Sequence, residues 1–147
     1  MKLGRRHANI HRMEHYKLIL PEHMNHHGYL YGGYMLKWID ELAYITATHD
    51  LPGNNFVTVA LEDVAFKKRV TSGEIVRFVV ERTHLGNTSV QYGVKAFGTR
   101  HHSSPDEVIF ETHITFVAVD AEGNKQAVKT IGNACQKNNV PPGAATS

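Results

Sequence analysis

Cysteine is almost absent from this chain. One residue, Cys135, stands among 147, so no internal disulfide can staple the fold, and a reducing compartment, the cytoplasm, is the expected setting. An excess of charge of one sign is missing too. Sixteen Lys and Arg against fourteen Asp and Glu leave a formal net charge of +2, which makes no case for nucleic acid as a partner. No apolar run approaches the ~20 residues that cross a bilayer, which excludes a transmembrane helix, and no membrane partner is expected. The start, MKLGRRHANIHR, is basic and free of acids, yet no apolar segment follows it, so it does not read as a secretory signal. Neither HExxH nor paired CxxC occurs. Without such a frame the eleven histidines, including His23, His26 and His27 and the pair His101 and His102, read as loop residues rather than a metal set.

What is present is an ordinary globular composition, 41% hydrophobic and 20% charged, in a length that suits a single core. One domain is expected at 14–131, between a basic N-terminal segment, 1–13, and a C-terminal tail, 132–147. The tail has few large apolar side chains and several turn formers, so it is expected to be flexible.

Within the domain the hydrophobic period changes along the chain. YKLIL, from Tyr16, is a short strand candidate that Pro21 stops by removing a ladder donor. From about 33 to 49 the period is helical: Leu36, Ile39, Ala43 and Ala47 recur at spacings of three and four, and Met35, Trp38, Leu42 and Ile45 widen the stripe. Such a helix must be largely buried. Lys37, Asp40, Glu41, Tyr44 and Thr48 share its remaining narrow face, and DLPG ends it. Strands are predicted at 56–66, 74–84, 88–99 and 108–119. Short Gly-bearing links, VTSG and LGN, make consecutive strands antiparallel neighbours, giving a βαββββ meander. Val76, Phe78 and Val80 alternate with Ile75, Arg77, Val79 and Glu81, so the sheet offers one apolar face to the helix. Its outer face or an edge is left for solvent or a second subunit.

The stretch 25–41, NHHGYLYGGYMLKWIDE, sets an amide, three glycines and a carboxylate around one helix start. A helix N-terminus offers unpaired N–H groups and positive dipole charge, which suit a developing oxyanion. Gly32 and Gly33 would supply those groups, glycine permitting close approach and unusual dihedrals; their plain alternative is a tight start to the helix. Asp40 follows about two turns later and reads either as a catalytic carboxylate or as a helix-surface acid paired with Lys37 or Tyr44. Glu41 ranks behind it, because adjacent helix positions point about 100° apart. Asn25 is either a polar anchor that donates and accepts without titrating, or a turn former. Lys67, Lys68 and Arg69 are candidates for phosphate contacts or for a solvated loop. Thr88 and Ser89, after Gly86 and Asn87, are candidates for polar substrate contacts or for turn chemistry.

PEHMNHHGYLYGGYMLKWIDELAYITA, with FKKRVTSGE, LGNTSV and TFVAVDAEGN further on, resembles the hotdog-fold acyl-CoA thioesterases over about 14–125. The family pattern is an Asn, a Gly three residues on, a GG pair before the helix and an Asp within it; here Asn25, Gly28, Gly32, Gly33 and Asp40 match it. Many relatives carry proline where this chain has Arg69 and His26. The resemblance implies an α+β hotdog fold, a long antiparallel sheet of about five strands wrapped around one central helix. It implies hydrolysis of acyl-CoA to free acid and coenzyme A without a cofactor. Asp40 would be general base or nucleophile, and Asn25 would position water or carbonyl, with the N–H groups of Gly32 and Gly33 as oxyanion site. Gly28, Lys67, Lys68, Arg69, Thr88 and Ser89 would bind substrate. It further implies a homodimer with shared active sites, assembled as a trimer of dimers, in which Asn25 and Asp40 of different copies meet. Acyl chain preference would depend on a tunnel bordered by Tyr29, Tyr31 and Tyr34. Two rivals stand beside this reading: a hotdog dehydratase or hydratase, for which His26 and His27 supply histidine, and a non-catalytic acyl-CoA sensor.

Overall fold

A computed structural model describes residues 11–98 and 106–130. Cys135, His101, His102, the tail 132–147 and most of the segment 1–13 lie outside the described residues. The chain runs β1 (Arg12–Leu18), a 3-10 turn (Pro21–His23), α1 (Gly32–Asp50), β2 (Phe56–Phe66), β3 (Ile75–Leu85), β4 (Ser89–Gly98) and β5 (Val108–Ala118). The strands form one antiparallel sheet ordered β1-β3-β4-β5-β2.

The alternation read in the strands is the alternation of burial. Val76, Phe78 and Val80 of β3 are fully buried, as are Val90, Tyr92, Val94 and Ala96 of β4 and Phe110, Ile114 and Phe116 of β5. Against this face pack Met35, Trp38, Ile39, Leu42, Ala43 and Ala47 of α1. A Val, Leu or Phe side chain so buried contributes about 1.5–3 kcal/mol, so this single core holds the helix along its length. Lys37, Asp40, Glu41, Tyr44 and Thr48 remain exposed on the predicted narrow face. Among the described residues no helix is long and apolar enough to cross a membrane.

The strand order differs from the predicted meander. β3, β4 and β5 are consecutive neighbours, but β2 pairs with β5 at the far edge rather than with β3. The cause is the link 67–74, which is a crossover and not a hairpin. Lys67 N–H donates to Ile109 O at 2.9 Å, Leu30 N–H to Val70 O at 2.9 Å, and Gly73 N–H to Ile19 O at 2.7 Å. The link thus passes from β5, across the helix start, to the β1 side of the sheet. β1 also begins earlier than YKLIL, at Arg12, because residues 12–18 find β3 as an antiparallel partner.

β2 carries two register shifts, between Thr58 and Ala60 and between Glu62 and Ala65. Asp63, in the second, has φ +55. Each extra residue turns the following side chains to the other face. Leu61 therefore lies opposite buried Ile114, and after the second shift Phe66 lies opposite Phe110.

Candidate active site

The turn before α1 is organised by Asn25. Met24 and Leu30 form an isolated antiparallel bridge, and inside it the Asn25 Oδ1 accepts from the N–H groups of His27 (2.9 Å) and Tyr29 (3.2 Å). Both partners are donors, so the side-chain oxygen is identified and Nδ2 faces away from them as a donor only. Gly28 closes the turn at φ +78, a conformation that favours glycine. The turn-forming reading of Asn25 is thus realised, and it leaves the amide nitrogen for a ligand.

Tyr31 then caps α1 with its carbonyl, which accepts from Tyr34 N–H at 3.1 Å and Met35 N–H at 3.4 Å. No side chain caps the helix. Among the described residues the N–H groups of Gly32 and Gly33 have no acceptor, the usual state of a first helical turn. Neither glycine has positive φ, so the unusual dihedrals expected of them are not adopted. Gly32 instead allows a close approach: a Cβ there would lie 3.1 Å from Cζ of Phe66.

Beside this helix start opens a cavity of about 730 Å³. Its apolar lining includes Leu30, Met35, Phe66, Val70, Ile109 and Phe110, and its polar rim includes Asn25, His27, Lys67, Lys68 and Arg69. The three basic residues are therefore brought to the cavity, each engaged within the chain. Lys67 Nζ stands 3.2 Å from Glu111 and Lys68 pairs with Glu107. The Arg69 guanidinium lies 4.7 Å from the Tyr29 ring centroid, a cation–π contact. Tyr29 and Tyr31 line the cavity. Tyr34 instead packs against His23 and Trp38, with ring centroids 4.8 and 5.8 Å away.

Asp40 does not line the cavity. It lies on the exposed face of α1, where the hydroxyl of Thr58 donates to its Oδ1 at 2.6 Å. This bond occupies one carboxylate oxygen and leaves Oδ2 for a water or a carbonyl carbon. Neither Lys37 nor Tyr44, the helical partners considered for Asp40, makes this contact. Thr58 is the residue that sequence reasoning missed; counting alternate positions from buried Phe56 puts it on the helix face of β2. Thr88 and Ser89 sit in the β3–β4 turn, where Gly86 N–H donates to Ser89 O at 2.8 Å. Between Ser89 and Ala96, beside Phe110 of the cavity, β4 extends roughly 20 Å, so one chain does not bring these two to its own cavity.

The sequence model described as the thioesterase superfamily matches residues 27–104, a span that holds the helix start, Asp40, Thr58 and the basic residues Lys67, Lys68 and Arg69 of the cavity rim. The chain belongs to the thioesterase superfamily. Mouse acyl-coenzyme A thioesterase 11 is 30% identical over 102 residues, 69% of this chain and 17% of that protein. The chain spans 59% of the length of another relative, Helicobacter pylori protein VdlD, at 26% identity over 70% of this chain. Among solved structures, acyl-CoA hydrolase of Staphylococcus aureus, determined with butyryl coenzyme A and coenzyme A, is 28% identical with a TM-score of 0.72, covering 80% of this chain and 71% of that one. Alanine variants of that hydrolase at an aspartate, an asparagine and a threonine match with TM-scores of 0.71, 0.72 and 0.72. The hexameric hotdog-fold thioesterase of Campylobacter jejuni is 26% identical with a TM-score of 0.68, covering 78% of this chain and 87% of that one. This thioesterase-superfamily domain accordingly has the α+β hotdog fold, its five-stranded sheet packed on one helix.

Proposed function

We propose that the protein hydrolyses the thioester of acyl-CoA to a free carboxylic acid and coenzyme A. The observation that carries this reading is the pairing of Asp40 with Thr58 at 2.6 Å on the helix whose first turn leaves two N–H groups free beside a largely apolar cavity. The thioester oxygen would lie at the N–H groups of Gly32 and Gly33, where fixed donors stabilise the charge that develops on it. Asn25 would add its Nδ2–H to an oxygen of the substrate or of the attacking water. Asp40 would act from Oδ2, either as general base toward water or as nucleophile through an acyl anhydride. The apolar wall would receive the acyl group, and Lys67, Lys68 and Arg69 would meet the phosphates of coenzyme A. No cofactor enters the reaction, coenzyme A being part of substrate and product. With one cysteine in 147 residues, a reducing cytoplasm suits the enzyme.

The active site is proposed to be shared between two copies. Asn25 lines the cavity and Asp40 does not, so an Asp40 supplied by a partner would complete the constellation. β2 is the edge that suits pairing, because Val57, Val59, Leu61 and Val64 are exposed along it, an unusual apolar content for an unprotected edge. A trimer of dimers is the proposed assembly, in keeping with the hexamer described for the Campylobacter jejuni relative. Thr88 and Ser89 would then serve a partner's site. The dehydratase reading fares less well: the rings of His26 and His27 lie against each other, centroids 3.9 Å apart and planes inclined at 42°, and among the described residues neither pairs with a carboxylate.

The test is thiol release from a panel of acyl-CoAs. Asp40→Ala is expected to lose roughly 100- to 10,000-fold in kcat, the usual span for a positioned acid or base. Thr58→Val is expected to lose about 10- to 100-fold, as one hydrogen bond to a charged group is worth about 1.5–3 kcal/mol. Undiminished turnover in Asp40→Ala would sink the mechanism, and binding of acyl-CoA without turnover by the wild type would favour the sensor reading.

A further inference from the structure

Phe66 stands at the wall of the cavity, beside the helix start. It ends β2 opposite Phe110, whose ring it meets edge to face at 4.7 Å and 73°. Phe110 is fully buried, so one side of the Phe66 ring rests on the core. Another side rests on the helix start: its Cζ and Cε1 are 3.1 and 3.4 Å from the position of a Gly32 Cβ. The ring nevertheless remains 55% exposed and lines the cavity. A large aromatic side chain is thus held from two sides while presenting free surface to the space next to Gly32.

The proposed oxyanion donors are the N–H groups of Gly32 and Gly33. A thioester oxygen bound there has the first acyl carbon two bonds away, and with the acyl group directed along the apolar wall of the cavity that carbon would lie against the Phe66 ring. A linear acyl chain presents one methylene at that point. An acyl group branched at the same carbon presents an added methyl, which needs the volume that the ring occupies. The ring is confined on its inner side by Phe110 and on its helix side by the backbone at Gly32, whose Cβ position lies 3.1 Å from its Cζ.

We infer that Phe66 is a specificity-determining residue, a steric selector that favours linear acyl thioesters over those branched at the carbon next to the carbonyl. The inference rests on the thioesterase reading and goes beyond it by naming the substrate class. It also accounts for glycine at 32 as the complement of the ring.

The experiment compares butyryl-CoA with isobutyryl-CoA, equal in carbon number and different only in branching, on the full chain carrying Phe66, Phe66→Leu or Phe66→Ala. The wild type is expected to prefer the linear substrate by about 10-fold or more in kcat/KM, the discrimination that one misplaced methyl group commonly causes. Phe66→Ala is expected to bring that ratio near one by raising turnover of the branched substrate, with Phe66→Leu in between. A wild-type ratio near one, or a ratio unchanged in Phe66→Ala, overturns the inference while leaving the thioesterase reading in place. Should Phe66→Ala prove inactive on both substrates, an unchanged ratio in Phe66→Leu overturns it equally. Wild-type protein that releases no thiol from either compound, or from any other acyl-CoA, overturns the thioesterase reading and this inference together.

Discussion

A carboxylate in the last turn of a helix opposes the helix dipole, and Asp50 occupies that position with its side chain only 1% exposed. Three donors hold it there. The Tyr92 hydroxyl donates to Oδ2 at 2.7 Å, the Arg82 guanidinium lies 3.2 Å from the same oxygen, and His11 Nδ1 is 2.8 Å from Oδ1. Arg82 also reaches His11 Nε2 at 3.2 Å, so the imidazole accepts there and donates to Asp50 from Nδ1. Burial first, and then the hydrogen bond to Asp50, push the Tyr92 phenol well above its ordinary range; the phenol stays a donor at every working pH. Replacing Asp50 by Asn would leave Arg82 without its buried counter-charge, and urea unfolding is expected to show a loss of about 3–5 kcal/mol. An unaltered unfolding midpoint would contradict that account. In the sequence Asp50 was legible only as part of the DLPG helix stop, because Arg82 and Tyr92 lie 32 and 42 positions away. Thr58 was hidden from a reading of the helix alone for the same reason, being 18 positions from Asp40.

Docking of β1 onto α1 makes a pH-dependent contribution. His15, on β1, stands 3.0 Å from the Thr46 hydroxyl, which itself donates to Leu42 O at 2.9 Å. The hydroxyl hydrogen being spent, His15 Nε2–H is the donor in the first bond. Burial, and secondarily the nearby His49, hold the His15 pKa below its ordinary 6.5. The folded state therefore binds fewer protons than the unfolded state between the folded value and 6.5. Stability from this group is complete above 6.5 and declines as the pH falls through that window. Urea midpoints at pH 7.5 and 5.5 are expected to differ less in His15→Gln than in the wild type; an equal or larger difference in the variant would refute the assignment. The elements themselves were readable from period and punctuation, with α1 predicted within a residue or so at either end. β2 was readable as a strand, but not its neighbour. The VTSG link looks like a hairpin turn in isolation, and only the hydrogen bonds of residues 67–73 to Ile109, Leu30 and Ile19 make it a crossover.

At the scale of the whole molecule, a single copy leaves the apolar edge of β2 uncovered. Val59, the extra residue of the first register shift, is 54% exposed, and it follows Thr58, the partner of Asp40, in the chain. A charge at such an edge opposes strand pairing between chains. Light scattering is expected to find the wild type as a dimer or larger, and Val59→Lys as a monomer at the same concentration, with its circular dichroism retained and its turnover reduced along with assembly. A wild-type monomer active at assay concentration would refute the shared site. The Campylobacter jejuni relative is described as a hexamer, and the edge residues say where pairing between copies would begin here.

Periodicity and local chemistry determined, without any coordinates, that this chain folds as one buried helix against an apolar sheet face, and that Asn25, Gly28 and the glycine pair mark the start of that helix. Those features are local. Each depends on side chains a few residues apart that must share one face of an element to be buried or to close a turn. Tertiary structure alone decided that β2 crosses to the far edge, that Thr58 orients Asp40, that Asp50 is neutralised by Arg82 and that Phe66 fills the space left by Gly32. These are contacts between residues far apart in the chain, set by strand order and register, and a one-residue shift in β2 would have turned either Thr58 or Phe66 to the opposite face.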